Sequence, residues 1–221
     1  MKKFYLLLVA ALALGITGGG CGSKEDTPED ALRDIQIAIS NQDRKLIDSR
    51  VDVDKFLNNL YSDVTNEIAD NVEKLHNNYP DDPYFWNTPQ FIRKYNEDKR
   101  GFYMSFVNAS VDAYFNPDLK ADNFINIFAI QCAKEFKNLC AAMDTKSTPA
   151  KIQGNHAIID FEVTGDSTPY GQFLGNLTFR FGFDKDEQGR WHLVKIENLN
   201  EIIYPIVDKA ELVWPEYAFN S

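Results

Sequence analysis

The residues whose spacing comes closest to a metal site are Asp184, Asp186 and Gly189, in the pattern D-x-D-x-x-G. A calcium loop that begins this way needs an oxygen ligand at its fifth position and a bidentate Glu at its twelfth. Gln188 stands at the fifth position, and the twelfth holds Lys195, whose side chain has no oxygen, so the ligand set is incomplete. The segment therefore predicts a solvated hairpin turn, and we expect no bound metal or cofactor.

Histidine offers little further chemistry. His76, His156 and His192 do not have the H-x-x-x-H spacing that places two imidazoles on one helix face. The sequence also lacks the G-x-S-x-G and G-x-x-x-x-G-K motifs. We expect surface or half-buried histidines with structural roles.

Two carboxylates are candidates for acid–base catalysis. Asp160 and Glu162 alternate with Phe161 along a predicted strand. If Phe161 faces the helices, both carboxylates face outward, away from any enclosed pocket. We therefore assign no catalytic residue, although an enzyme remains an alternative that a carboxylate sharing an enclosed pocket with a His or Tyr would favour.

Aromatic residues are concentrated between residues 79 and 115, which hold eleven of them. Most are explained by burial in a core, but aromatic side chains also anchor interfaces and stack on ligands. Trp86 is the least easily explained by burial, because turn-forming residues flank it. Together with Tyr84 and Phe85 it forms the candidate binding surface, with an envelope protein or a glycan as the expected partner.

The N-terminal segment has the organisation of an export signal. Lys2 and Lys3 give a cationic start, residues 4–16 are apolar, and residues 17–20 are small. An apolar run of 13 residues spans ~20 Å as a helix, whereas a transmembrane helix must cross ~30 Å. The segment therefore predicts a cleaved signal peptide over residues 1–20.

The small residues that precede Cys21 resemble the lipobox of bacterial lipoprotein precursors, in which the cysteine is acylated and becomes the new N-terminus. Gly18 stands where that motif usually has Leu, so plain secretion remains an alternative. The resemblance implies lipidation of Cys21 and attachment to a membrane. Gly22 and Ser23 follow without an Asp, which in a Gram-negative cell indicates the outer membrane, with the domain facing the periplasm.

Net charge and chain length further narrow the classes of partner and the number of domains. The 221 residues carry a net charge of −10, and loss of residues 1–20 leaves 21 basic and 33 acidic residues, a net charge of −12. This polarity repels phosphate backbones and argues against a nucleic-acid partner. About 200 residues suffice for one sizeable core, so we expect one domain over residues 27–221.

The first half of that domain is predicted to be helical, over residues 27–146, after a short polar tether at residues 21–26. Thr27 and Asp30 form a capping box, Asp54 is a candidate N-cap for a helix that ends near His76, and Thr88 precedes another helix start. A further helix is expected over residues 121–143.

The second half has a period of two, typical of strands. Apolar residues alternate over 157–163 and 177–183, and residues 191–196 complete a hairpin. Residues 150–200 are thus mainly β, and residues 201–221 form a C-terminal tail. Helices followed by an antiparallel sheet predict an α+β fold, with the N-terminal helices packed on one sheet face.

Cys132 and Cys140 lie eight residues apart in a predicted helix, which separates their Cα atoms by ~12 Å. A disulfide tolerates ~7 Å, so we expect two free thiols. A bridged pair would require a broken helix.

Two stretches resemble known bacterial proteins. Residues 27–39, Asp43 and residues 51–54 resemble the opening of an uncharacterised family of small exported proteins and lipoproteins. Residues 189–196 look like the last strand of lipoproteins with the cystatin-like, nuclear-transport-factor-two-like cone fold. The resemblance implies a curved, cone-like sheet around helices and carries over no catalytic residue.

These patterns together favour a lipid-anchored protein of the bacterial cell envelope that acts as a non-catalytic binding module. The alternative is a small-molecule isomerase or dehydratase that uses a pocket in the cone. A structural accessory of an envelope complex is a third interpretation.

Overall fold

A computed structural model describes residues 25–209 and Val213. Its first part is helical, as predicted. The first four helices are α1 (Pro28–Asn41), α2 (Arg44–Asp48), α3 (Val53–Asp70) and α4 (Val72–Asn78). The predicted signal peptide at residues 1–20, and Cys21, lie outside the described residues.

Two helix starts test the capping predictions. Thr27 caps α1, and Asp30 completes the capping box, as predicted. The prediction of Asp54 as the next N-cap is wrong by two residues, because the Asp52 carboxylate accepts the N–H of Lys55 at 3.1 Å. The apolar stripe that predicted one helix to His76 is interrupted at Asn71, which separates α3 from α4.

A short 3-10 helix (Pro83–Trp86) leads into the long α5 (Pro89–Phe115), and α6 (Phe124–Ala141) follows. Ring contacts show how α5 and α6 pair: Phe106 contacts Phe124 and Phe128, while Tyr114 contacts Phe136. Because residue numbers increase in the same direction along both helices at these contacts, the two helices run parallel. Residues 116–123 must therefore return alongside α5.

The second part contains five antiparallel strands, and two short helices complete the fold. The strands are β1 (Met143–Ser147), β2 (Lys151–Gln153), β3 (His156–Gly165), β4 (Asn176–Lys185) and β5 (Trp191–Ile196); the helices are α7 (Pro169–Leu174) and α8 (Leu199–Lys209). β1 and β2 pair with different halves of one edge of β3, and β4 and β5 follow on its other side. The sheet is open, and the predicted α+β class is confirmed.

One face of the long strands β3 and β4 is covered by the helices. Phe161, Phe179, Phe181 and Phe183 belong to the same buried core as the apolar faces of the helices. The predicted alternation is therefore confirmed. Because these large rings fill the layer between sheet and helices, the inner face of the sheet is a packed core.

The predicted C-terminal tail requires a correction at its start. Residues 201–209 are helical within α8, and Ile202, Ile203 and Ile206 are buried in the core. This part of the chain is held by apolar burial and belongs to the domain.

The predicted tether likewise requires a correction at its end. The Asp26 carboxylate accepts hydrogen bonds from Arg50 and from the Trp191 backbone N–H, the latter at 2.7 Å. The Leu193 N–H donates to the Arg50 carbonyl at 3.0 Å, and Val51 forms a parallel bridge with Leu193. Asp26 therefore joins the N-terminal segment to the β5 edge.

Within the described part of the chain, no helix combines the length and apolar character needed to cross a bilayer.

Candidate functional site

The candidate surface is built on the 3-10 turn at residues 83–86. Asp82 starts the turn by accepting the Tyr84 N–H at 3.0 Å. Asn87 closes it, since its side-chain amide donates to the carbonyls of Pro83 and Tyr84 at 3.0 Å each. These local hydrogen bonds fix the turn without help from a longer helix.

Tyr84 and Phe85 attach this turn to the helices. Both are half-buried, and both pack against a small apolar cluster formed by Ala69, Val72 and Ile92. The buried Asn96 amide donates to the Tyr84 hydroxyl at 2.6 Å, and the Asn96 carbonyl accepts the Tyr61 hydroxyl at 2.8 Å. Burial raises the pKa of Tyr84, so the hydroxyl remains neutral and able to hydrogen-bond.

Trp86 differs from these two neighbours. Its residue is 64% exposed, while its indole N–H donates to the Pro80 carbonyl at 2.7 Å. The hydrogen bond restricts the ring, and the ring remains available to solvent. An exposed and restricted aromatic ring loses little conformational freedom when a ligand packs on it.

A shallow groove of about 540 Å³ lies beside this ring. It is lined by Val72, Glu73, His76, Asn77, Phe85, Trp86 and Asn87. Apolar and aromatic surface is thus combined with amide, imidazole and carboxylate groups. This combination suits a ligand that has both an apolar face and hydroxyl or amide groups.

Glu73 and His76 are a carboxylate and an imidazole in the same groove, but both are exposed. An acid–base enzyme would need such a pair enclosed, where exclusion of water strengthens its electrostatics. The groove therefore offers polar contacts to a bound ligand and lacks the enclosure that general acid–base catalysis needs.

Asp160 and Glu162 lie on the outer face of the sheet, opposite to Phe161. A hydrogen bond from Lys151 and the charges of Lys151 and Arg180 lower the pKa of Asp160 despite partial burial. Its carboxylate oxygens lie 2.9 Å from Lys151 Nζ and 3.3 Å from Arg180 Nε. Asp160 is thus an ionised partner in a surface ion-pair network.

The hairpin interpretation of residues 184–189 is confirmed. The Asp186 carboxylate accepts the backbone N–H groups of Gln188 and Arg190 at 2.9 and 2.8 Å. The bond from the Arg190 backbone, joined by contacts with His192 and the Arg190 side chain, lowers the pKa of Asp186 to about 2. Its oxygens therefore serve the turn, and residues 25–209 contain no cluster of three or more potential metal ligands.

Sequence reasoning did not single out Phe124, a further exposed aromatic residue. It is 72% exposed and lies beside Phe106. The helix begins at Phe124, capped by Asn123, so this first residue extends beyond the core. The N-cap residue was the available signal, because side chains in a first turn often lie outside the packed region.

The sequence matches no family model, no curated protein and no solved structure. A function for this chain must therefore be argued from its own geometry.

Proposed function

We propose that this protein is a lipid-anchored component of the bacterial cell envelope and acts as a non-catalytic module that binds a glycan through the Trp86 groove. The observation that carries the proposal is the Trp86 ring, 64% exposed and restricted by its hydrogen bond to Pro80. A ring held in this way presents a fixed aromatic face on which a ligand can pack.

The composition of the groove supports a glycan over a protein partner. A pyranose ring presents C–H groups that pack on an aromatic face, and its hydroxyls need hydrogen-bond donors and acceptors. Trp86 supplies the face, and Asn77 and Glu73 supply polar groups. Asn87 adds only its side-chain oxygen, because its amide N–H groups close the turn. A protein interface would instead favour a larger, flatter apolar centre.

Lipidation of Cys21 is proposed from the sequence. Asp26, which is bound to Arg50 and Trp191, lies five positions after Cys21 in the sequence. An extended chain of that length reaches at most ~18 Å. The anchor would therefore hold the start of the folded domain within about that distance of the membrane surface.

The glycan proposal is tested by calorimetric titration of solubilised peptidoglycan fragments and a panel of neutral oligosaccharides. Trp86→Ala removes the stacking face, so we expect it to weaken binding at least about tenfold, whereas Trp86→Phe retains part of that face and loses less. Phe124→Ala is the matched control, because Phe124 is also exposed but lies outside the groove. Equal binding by all four proteins, or by none of them, contradicts the proposal.

The anchor is tested separately. Because the thioether to diacylglycerol requires the thiol, Cys21→Ser is expected to give unprocessed or soluble protein, whereas the wild type partitions into the detergent phase. Partitioning is measured by phase separation in a detergent that clouds on warming. Equal partitioning of the two proteins rules out lipidation at Cys21 and leaves the groove unaffected.

A further inference from the structure

A second groove lies between α3 and α5 and shares no lining residue with the Trp86 groove. Its volume is about 380 Å³, and it is open to solvent. Tyr61 and Thr65 line it and are buried, so they form its floor. Its rim carries four charged side chains, which are Arg93, Lys94, Glu97 and Arg100. The lining of this groove is therefore cationic, although the whole chain has a net charge of −10.

The Thr65 hydroxyl lies at this floor without a hydrogen-bond partner. The residue is 6% exposed, and its Oγ1 is buried with no donor or acceptor in the part of the chain that the structure describes. Tyr61 differs, because its hydroxyl donates to the Asn96 carbonyl at 2.8 Å. A buried hydroxyl without a partner costs free energy, and an acceptor atom that enters the groove would remove that cost.

Arg100 is a positive charge that several contacts hold in place. Its guanidinium carbon lies 4.9 Å from the centre of the Tyr61 ring, and the group donates to the Asn58 carbonyl at 3.2 Å and to Ser62 Oγ at 2.9 Å. Its ionic partner Glu97, at 2.9 Å, is mostly exposed. The guanidinium is therefore fixed beside the groove, whereas the Glu97 carboxylate can turn into solvent when another anion takes its place.

Arg93 and Lys94 have acidic partners that do not line the groove. Arg93 pairs with Asp70, and Lys94 Nζ lies 3.1 Å from an Asp98 carboxylate oxygen. Both pairs are exposed, and ion pairs of this kind contribute little to stability. The two cations can therefore exchange these partners for a bound anion at little cost.

We infer that this groove binds a phosphate monoester, with Arg93 and Lys94 as charge partners and the Thr65 hydroxyl as a hydrogen-bond donor. Three cations and one carboxylate give the lining a net charge of +2. A phosphate monoester matches this, since it carries a charge of about −1.5 to −2 at pH 7 and three acceptor oxygens. A carboxylate or a phosphodiester carries a single negative charge and matches it less well. The site is independent of the Trp86 groove and of lipidation.

The test is calorimetric titration of the full chain with methyl phosphate, dimethyl phosphate and acetate, above the second phosphate pKa of ~6. Methyl phosphate is expected to bind at least about tenfold more tightly than the two monoanions, and less tightly as salt is added. The Cys21→Ser protein, mixed with phosphatidylcholine vesicles, separates two sources of the monoester. Retention only on vesicles that contain phosphatidic acid assigns it to a lipid, and methyl phosphate binding without retention assigns it to a soluble molecule.

Variants assign the binding to this groove. Thr65→Val keeps the shape of the side chain and removes the hydroxyl, so it should weaken methyl phosphate binding at least about tenfold and raise Tm by about 2–4 °C. Arg93→Gln should weaken binding by a similar factor, whereas Lys134→Gln, the same change of charge outside the groove, should not. Glu97→Gln removes the competing carboxylate and should strengthen binding.

Four results would overturn the inference. A lower Tm of Thr65→Val would show that the hydroxyl has a partner within the protein. Equal affinities for methyl phosphate and acetate, or equal losses in Arg93→Gln and Lys134→Gln, would show that only general charge attraction is present. The fourth is the absence of methyl phosphate binding. Trp86→Ala should bind methyl phosphate as the wild type does, so failure here leaves the glycan proposal untouched.

Discussion

Two aromatic regions of this molecule have similar residues and opposite environments. Phe179 in the sheet is 1% exposed, whereas Trp86 in the 3-10 turn is 64% exposed. The sheet residues alternate with a period of two, which places every second ring on one face. The turn has no such period, and its rings divide between the helices and the solvent. The comparison shows that periodicity, and not aromatic content, determines burial.

The largest effect is expected in the sheet. Phe179→Ala removes a fully buried ring and leaves a cavity that the packed layer around it cannot fill. The substitution should lower the free energy of unfolding by about 3–5 kcal/mol. Urea denaturation measures this value, with Phe124→Ala as the exposed control, expected within about 0.5 kcal/mol of wild type. Similar losses of unfolding free energy in Phe179→Ala and Phe124→Ala would show that burial does not separate the two kinds of aromatic position.

An intermediate effect is expected where the polar N-terminal segment meets β5. Burial acts to raise the pKa of Asp26, but the hydrogen bonds from Arg50 and the Trp191 N–H and the Arg50 charge outweigh it and lower that pKa. A carboxyl whose pKa is lowered on folding stabilises the fold above its unfolded pKa of ~3.9, and this contribution is lost as pH falls through its folded pKa.

Asp26→Asn should therefore cost about 1–2 kcal/mol at pH 7, a value reduced for the partial exposure of the pair, and progressively less below about pH 4. Urea denaturation at a series of pH values measures the difference from wild type. Asp118→Asn, an exposed loop position, is the control and should show no comparable difference. A cost that stays constant down to pH 2 would assign the effect to something other than the carboxylate charge.

The smallest effect on stability is expected at Trp86. Its ring is mostly in water, so Trp86→Ala should change the free energy of unfolding by less than about 0.5 kcal/mol. The same denaturation assay measures it. If Trp86→Ala destabilises the protein as much as Phe179→Ala does, Trp86 is a core residue, and the binding proposal loses its support.

Local rules predicted much of this fold. The Thr27 capping box, the helix start after Thr88 and the alternating strands depend on near neighbours, and all three are present. The prediction that Cys132 and Cys140 are not joined by a disulfide also follows from helical spacing and is confirmed. These features can be predicted without knowing which helices and strands pack together.

What the sequence did not predict depends on tertiary contacts. The break at Asn71 lies within a continuous apolar stripe, and the parallel pairing of α5 and α6 is set by rings far apart in sequence. At the candidate surface, the turn around Trp86 could be predicted from its flanking residues. The groove could not, because α4 provides its other wall.

The contacts of Asp26 with Trp191, and of Val51 with Leu193, have a kinetic consequence. Each joins residues more than a hundred positions apart, so the N-terminal segment cannot reach its final place until the last strand is available. Closing such long loops costs chain entropy before the contacts at their ends have formed. This cost slows folding. A nascent chain of this design cannot complete its fold until β5 has been synthesised, whereas a bundle of neighbouring helices can begin to pack earlier.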